Sequence, residues 1–384
     1  MVAAVRGGES QRSVARWYGM SLLTIQRWVG RAQGQRLDRV DWSDRPGGPR
    51  QSPSRTPREL EDWVLQLRRE LREESDLGEY GAGAIQAELV ARGVPSVPHA
   101  RTLHRILERR GALDGRRRIR HKPPPRGWYL PPVAMGSAEL DQFDTIEGLK
   151  IKDGPLVEVL NVVSLHGGLV GAWPSAGITA QFVREGVLAH WRAWGLPGYA
   201  QFDNDTVFQG PHQHPDAIGS VIRLCLSLGV VPVFVPPRET GFQAAIESFN
   251  GRWQAKVWAR FQHESLMALC RRSDKYVAAH RQRSVTRRDA APERRLFPDD
   301  WTLNLQAPAH GQIIFVRRTT DQGQVSLLGR TFKVADTWPH RLVRGEVALD
   351  EQCIRFYALR RRAPEDQPLL NTVPYALPHR RFRE

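Results

Sequence analysis

The chain has 384 residues, 41% hydrophobic and 25% charged, a balance that supports folding in water and excludes wholesale disorder. At roughly 150 residues per domain it is long enough for two to three domains. Its 56 Lys and Arg against 41 Asp and Glu leave +15 at pH 7, which suits a polyanion such as nucleic acid and disfavours a dedicated binder of cations.

The opening segment, residues 1–39, contains QRSVARWYGMSLLTIQRWVGRA. It predicts two short helices hinged at Gly19, with Val14, Ala15, Tyr18, Met20, Ile25 and Trp28 as the apolar positions. In this helix-turn-helix pattern the second helix presents Ser21, Thr24, Gln26 and Arg27 to base edges in a major groove. An ordinary helical hairpin is the alternative. Residues 40–56 are rich in Pro, Gly and Ser and form a linker.

A second helical unit follows over 57–115. Leu60, Trp63, Val64, Leu67 and Leu71 stand at helical spacing, and shorter helices are expected over Ala82–Arg92 and His99–Arg110. This is a second helix-turn-helix module or a structural three-helix bundle. Residues 116–137 form a basic, Pro-rich linker whose Arg116, Arg117 and Arg118 are placed to track phosphates, unless it is simply solvated.

From Ala138 the chain turns to short β-rich runs, then to alternating helices and strands, in the order β-β-β-α-β-α-β-α over 138–300. That is the order of a ribonuclease H-like α/β domain. The arginines of RRSDKYVAAHRQRSVTRRDAAPERR suit either nucleic-acid contact or a solvated helix. Past Pro308, four strand-like runs predict a small β-barrel over 308–362, and 363–384 reads as a tail. The expected fold class is therefore multidomain: α-helical helix-turn-helix modules, a central α/β ribonuclease H-like domain and a C-terminal small β-barrel.

Cys225, Cys270 and Cys353 lie far apart without a CxxC pair, which supports neither a disulfide framework nor a cysteine zinc site. The longest apolar stretch, Leu156–Trp173, is broken by Glu158, Asn161 and His166, and the first ten residues lack a signal-peptide core. A cytoplasmic protein without membrane contact is expected. His212 and His214 read as loop residues, having no partner at ligand spacing.

Three acids of the middle domain stand out: Asp144 in its first strand, Asp203 near the end of its fourth and Glu247 on the helix after its fifth. Carboxylates in such apolar surroundings need compensation. Two divalent ions held about 4 Å apart supply it, and all-oxygen ligands select Mg²⁺ or Mn²⁺ over softer metals. Asn250, Gly251 and Gln254 follow Glu247 at i+3, i+4 and i+7, so Asn250 and Gln254 share its face and are placed to touch a DNA terminus.

The segments QFDT, FDNDTVF and PPRETGFQAAIESFNGRW around these acids resemble the DDE transposases and integrases with a retroviral-integrase-type core. With the helical modules ahead of it, the arrangement resembles transposases of bacterial insertion sequences. The resemblance implies that Asp144, Asp203 and Glu247 are catalytic and hold two metal ions. It further implies that water attack frees a 3′-hydroxyl, and that this hydroxyl attacks target phosphate in line. Double-stranded DNA, both element ends and target, is the implied partner, and pairing two ends implies a homo-oligomer. A noncatalytic DNA-binding regulator and a metal-dependent nuclease without strand transfer are the alternatives.

One departure is the spacing: 43 residues separate Asp203 from Glu247, longer than is usual in that family, and QGPHQHPDAIGS looks like the insertion. Asp203 is favoured over Asp205 because the family's second aspartate directly precedes Asn. Asp205 is expected in a turn, pointing to solvent. Asp144 is favoured over Asp141, whose three-residue offset puts it on the opposite face of the strand.

Overall fold

The computed structural model describes residues 1–43, 56–113, 126–211, 214–378 and 381–382, which divide into two compact units, Met1–Glu61 and Asp62–Glu384. No helix among the described residues is long and apolar enough to cross a membrane.

The smaller unit contains three short helices, α1 (Val2–Arg6), α2 (Gln11–Trp17) and α3 (Leu22–Ala32). Ser10 and Ser21 cap α2 and α3 by accepting from the backbone N–H groups of Ser13 and Thr24. Gly19 takes a φ of 64° between α2 and α3, a left-handed turn that a β-carbon would strain. Val14, Ala15 and Ile25 close the core between these helices. Tyr18 and Met20, expected in that core, are instead exposed. They sit in the turn itself, beyond the reach of either apolar face.

In the larger unit, the part of α4 (Arg58–Glu74) from Asp62 onward packs with α5 (Ala82–Ala91) and α6 (Ala100–Arg109) around Val64, Leu67, Ile85, Leu89, Leu103 and Ile106. Arg260 donates to the carbonyls of Arg72, Glu73 and Ser75 at the C-terminal end of α4, where a cation meets the negative end of the helix dipole. Lys256 donates to Gly78 O at 2.9 Å.

The expectation of three meandering strands after Ala138 matches the antiparallel ribbon β1 (Leu140–Lys150), β2 (Leu156–Ser164) and β3 (Val170–Ser175). After helix α8 (Ala180–Trp194), β4 (Tyr199–Phe202) joins β1 in parallel, and β5 (Val231–Phe234) joins β4 in parallel. Parallel neighbours require crossovers. Helix α8 lies against one sheet face with Val183, Val187 and Trp191 packed on Phe143 and Leu160. On the opposite face, α11 (Ala244–Trp253) and α12 (Leu266–Arg283) bury Ile246, Phe249, Trp253 and Leu269 against Ile146, Val157 and Val159.

The C-terminal strands correct the expectation of a separate small β-barrel. They are β6 (Gln312–Arg318), β7 (Gln324–Leu327), β8 (Arg330–Lys333), β9 (Leu342–Ala348), β10 (Cys353–Ala358) and β11 (Leu369–Pro374). Four of them extend the core into a nine-stranded sheet of order β11-β10-β9-β6-β5-β4-β1-β2-β3, while β7 and β8 pair as a hairpin. The reason lies in β6, where Ile313, Ile314, Phe315 and Val316 are all buried. A strand buried on both faces belongs inside a covered sheet. It pairs in parallel with β5, and Phe315 stacks on Phe234 at 5.2 Å. β11 also falls within 363–384, so part of the expected tail is the sheet's edge strand.

Candidate active site

The tripeptide Gln-Phe-Asp occurs twice, at Gln142–Asp144 and Gln201–Asp203. Parallel pairing of β1 with β4 sets Gln142 opposite Gln201. The two copies therefore lie side by side. Phe143 and Phe202 stack at 5.4 Å on the α8 face, and continuing the same register sets Asp144, midway along β1, level with Asp203, the first residue past the end of β4. Alternation puts Gln142, Asp144, Gln201 and Asp203 on the opposite face, toward α11.

Beneath the acids the two glutamines build a buried polar cluster. Gln142 donates to Gln201 Oε1 at 2.7 Å and to Phe242 O at 3.1 Å; Tyr129 OH donates to Gln201 Oε1 at 2.9 Å. The amide N–H of Ile246 donates to Gln142 Oε1 at 3.2 Å. This fixes the first turn of α11, and Glu247 is the next residue. Neither glutamine belongs to an ionisable pattern, and the repeated tripeptide is the one signal of them that the sequence carries.

The Asp144 carboxyl senses the charges of both other acids. Burial, the charge of Asp203 and the charge of Glu247 push the Asp144 carboxyl up to about 7, against hydrogen bonds from Thr145 N–H and Asn250. Burial likewise raises Asp203, helped by the charges of Asp205 and Glu147 and opposed by a hydrogen bond from the Asp205 N–H. Glu147 was not foreseen, because three residues beyond Asp144 a regular strand points the other way. A register shift between Ile146 and Leu149, with Gly148 at φ 73°, breaks the alternation.

Around the acids, Asn250 donates to Asp144 Oδ2 at 2.7 Å and accepts from Asn161 at 2.8 Å. Asn250, expected at a DNA terminus, is thus engaged within the protein. Gln254 is half-buried and opens a π-helical turn, Gln254–Trp258. Asn204 donates to Val235 O at 2.8 Å and accepts from Arg317 of β6 at 2.7 Å, which pins the turn that carries Asp203. Arg317 is itself pushed down to about 10 by burial. The strand β4 stops at Phe202, and Asp205, expected to face solvent, is half-buried and caps the short helix α9 (Thr206–Gln209) by accepting from Val207 N–H at 3.0 Å.

Asp141 sits on the other face and has another task. Arg294 grips it with two hydrogen bonds of 2.9 and 2.7 Å, Ser164 donates at 2.6 Å and Trp191 at 3.0 Å. Burial raises this carboxyl, but Arg294 outweighs it and holds it lowered to about 2. Other arginines of the same stretch also hold the fold: Arg281 donates to Val170 O at 2.7 Å, Arg287 to His166 O at 2.6 Å and Arg295 to Gly229 O at 2.8 Å. Three arginines expected in a basic DNA-facing or solvated stretch are thus bound to backbone carbonyls of the same fold.

The donor set of Asp144, Asp203 and Glu247 is all oxygen and carries mutually repelling charge, which fits a hard divalent cation. Among the described residues no group of three or more His, Cys, Asp or Glu is gathered as a metal cage. In the smaller unit, Gln26 and Arg27 are exposed on α3, whereas the Ser21 and Thr24 hydroxyls bond each other at 2.8 Å within the cap. Arg116, Arg117, Arg118 and His212 lie outside the described residues.

No protein-family model and no curated protein matches the chain. Among solved structures it is similar to the catalytic core domain of BIV integrase, with 17% identity and a TM-score of 0.28 over 36% of this chain and 81% of that one. The HTLV-2 integrase catalytic core domain in complex with magnesium gives 15% and 0.27 over 41% and 87%. A chain of the simian T-cell lymphotropic virus intasome in complex with PP2A regulatory subunit B56 gamma gives 14% and 0.32 over 78% and 95%.

Proposed function

We propose that this chain is a DNA transposase or integrase of the DDE type, a polynucleotidyl transferase that cuts and joins strands at insertion-sequence ends. The observation that carries the reading is the placement of Asp144 on β1 level with Asp203 after its parallel neighbour β4, with Glu247 on α11, the helix packed over that face; the Asp144 carboxyl, raised by burial and by the charges of Asp203 and Glu247, agrees with it. Carboxylates that raise one another in this way are a poor structural choice and a good cation site. Asp144, Asp203 and Glu247 would hold two Mg²⁺ or Mn²⁺ ions. When bound, such ions activate an attacking water or 3′-hydroxyl and stabilise the leaving oxygen.

The chain's own residues supply the geometry. Asn250 orients Asp144, the Arg317–Asn204 contact holds the turn of Asp203, and Gln142 anchors the helix of Glu247. The helical unit at the N-terminus recognises element ends, double-stranded DNA is bound at both ends and target, and two copies or more pair the ends. The protein works in the bacterial cytoplasm, on the nucleoid when bound.

Purified chain is incubated with Mg²⁺, a plasmid target and labelled duplexes from the DNA flanking its gene. Joined products are expected. Cleaved but never joined ends would leave a nuclease, and binding without cleavage would leave a regulator.

A further inference from the structure

Helix α3 presents an exposed stripe of Leu23, Gln26, Arg27 and Gly30, spaced i, i+3, i+4 and i+7 along one face. Leu23 is 76% exposed, so the side chain of this first-turn leucine is largely uncovered by the described residues. The Ser21 and Thr24 hydroxyls beside it are tied to the cap and to each other. Of the residues near the start of the helix, the one free to project outward is therefore an aliphatic one.

Gly30 is an independent sign on the same stripe. A glycine inside a helix costs about 1 kcal/mol relative to alanine. Here a β-carbon would meet nothing within 4 Å, so no described neighbour in the chain requires its smallness. The helix surface at Gly30 is therefore open to a close approach from outside. The surroundings suit an anion: residues 1–43 carry seven arginines against three acids.

Resting on the reading of this unit as a DNA reader, we propose that Leu23 is a specificity-determining residue that packs on the 5-methyl group of a thymine. Gln26 and Arg27 reach the adjoining base edges, and Gly30 leaves room for the duplex. Helical readers enter the major groove with the first residues of the recognition helix leading, and thymine is the base that offers an apolar group there. A leucine at that place has no hydrogen bond to give, so the methyl is the feature it discriminates.

The test uses the full chain. Duplexes are selected from a random pool, and each thymine of the selected site is then replaced by uracil, which removes only the methyl. One replacement is expected to weaken binding about fourfold, the equilibrium factor for burying one methyl group. Leu23→Ala should bind the thymine and uracil duplexes alike, with its helicity unchanged. An unaltered thymine preference in Leu23→Ala, or no sensitive thymine in the wild type, overturns the assignment. So does a Leu23→Ala variant whose thymine preference persists while an oligomer dissociates, which would place Leu23 against a second copy. Failure to enrich any sequence would instead defeat the underlying reading of the unit as a DNA reader.

Discussion

Gln142 of β1 donates to Gln201 of β4 at 2.7 Å, and that pairing holds the two Gln-Phe-Asp tripeptides in register. Replacing Gln201 with leucine leaves one Gln142 N–H without its acceptor, whereas Tyr129 OH keeps the Phe242 carbonyl at 3.1 Å. A buried polar group left unsatisfied costs about 1–3 kcal/mol. Gln201→Leu should therefore unfold at lower urea concentration and join DNA at least about tenfold more slowly, since a small misplacement of reacting groups is costly. Wild-type joining in this variant would show that the register does not depend on the glutamine pair.

Glu247→Gln, Asp144→Asn and Asp203→Asn should each abolish Mg²⁺-dependent cleavage and joining while leaving DNA binding intact, because each amide keeps the volume and removes a charged ligand. Asp205→Asn is expected to retain a substantial fraction of joining. Asp205 caps α9, and Asn caps nearly as well. Asp205→Ala should cost about 1 kcal/mol of stability through the lost cap. A dead Asp205→Asn beside an active Asp203→Asn would reverse the assignment of the two acids.

The elevated Asp144 makes the metal-free protein sensitive to pH. Its folded carboxyl titrates near 7 against 3.8 for the ordinary group, so between those values the folded chain holds a proton that the unfolded chain has lost. This stability is present below about pH 4 and is lost as pH rises through 7, on the order of 2–4 kcal/mol. Without metal, chemical denaturation of the wild type should show this decline relative to Asp144→Asn, and Mg²⁺ should restore the loss at pH 8. Parallel pH profiles for the two proteins would contradict the crowding of the three acids.

What the sequence made legible follows from periodicity. Leu60, Val64, Leu67 and Leu71 could serve only a helix, and α4 runs through them. The alternation around Asp144 separated it from Asp141, and the structure puts those two on opposite faces. What stayed hidden is tertiary. Nothing in QIIFVRR says whether its neighbour is another strand of a barrel or β5. Glu147 gives no sign of facing the acids in the sequence, because a local bulge at Gly148 overrides the period of two. Asn250 looked available for DNA until Asn161, 89 positions away, came to meet it.

Asp141 and Asp144 should respond to the same substitution with opposite signs. Asp141 is buried in a full set of donors, with Arg294 bidentate and Ser164 and Trp191 completing the shell. Its carboxyl is held near 2, so its contribution is present above the ordinary 3.8 and lost as pH falls from there toward 2, about 2 kcal/mol in all. Asp141→Asn removes one member of a buried ion pair and leaves the Arg294 charge uncompensated, at a cost of about 3–5 kcal/mol. Asp144→Asn instead relieves burial and repulsion from Asp203 and Glu247, so at pH 8 without metal it should be at least as stable as the wild type. Activity runs the other way. Once the protein is folded at low temperature, Asp141→Asn should still bind Mn²⁺ and retain joining, whereas Asp144→Asn should do neither. Urea midpoints at pH 8 together with Mn²⁺ titration of both variants check this. A destabilised Asp144→Asn with a harmless Asp141→Asn would mean that the face assignment of β1 is inverted.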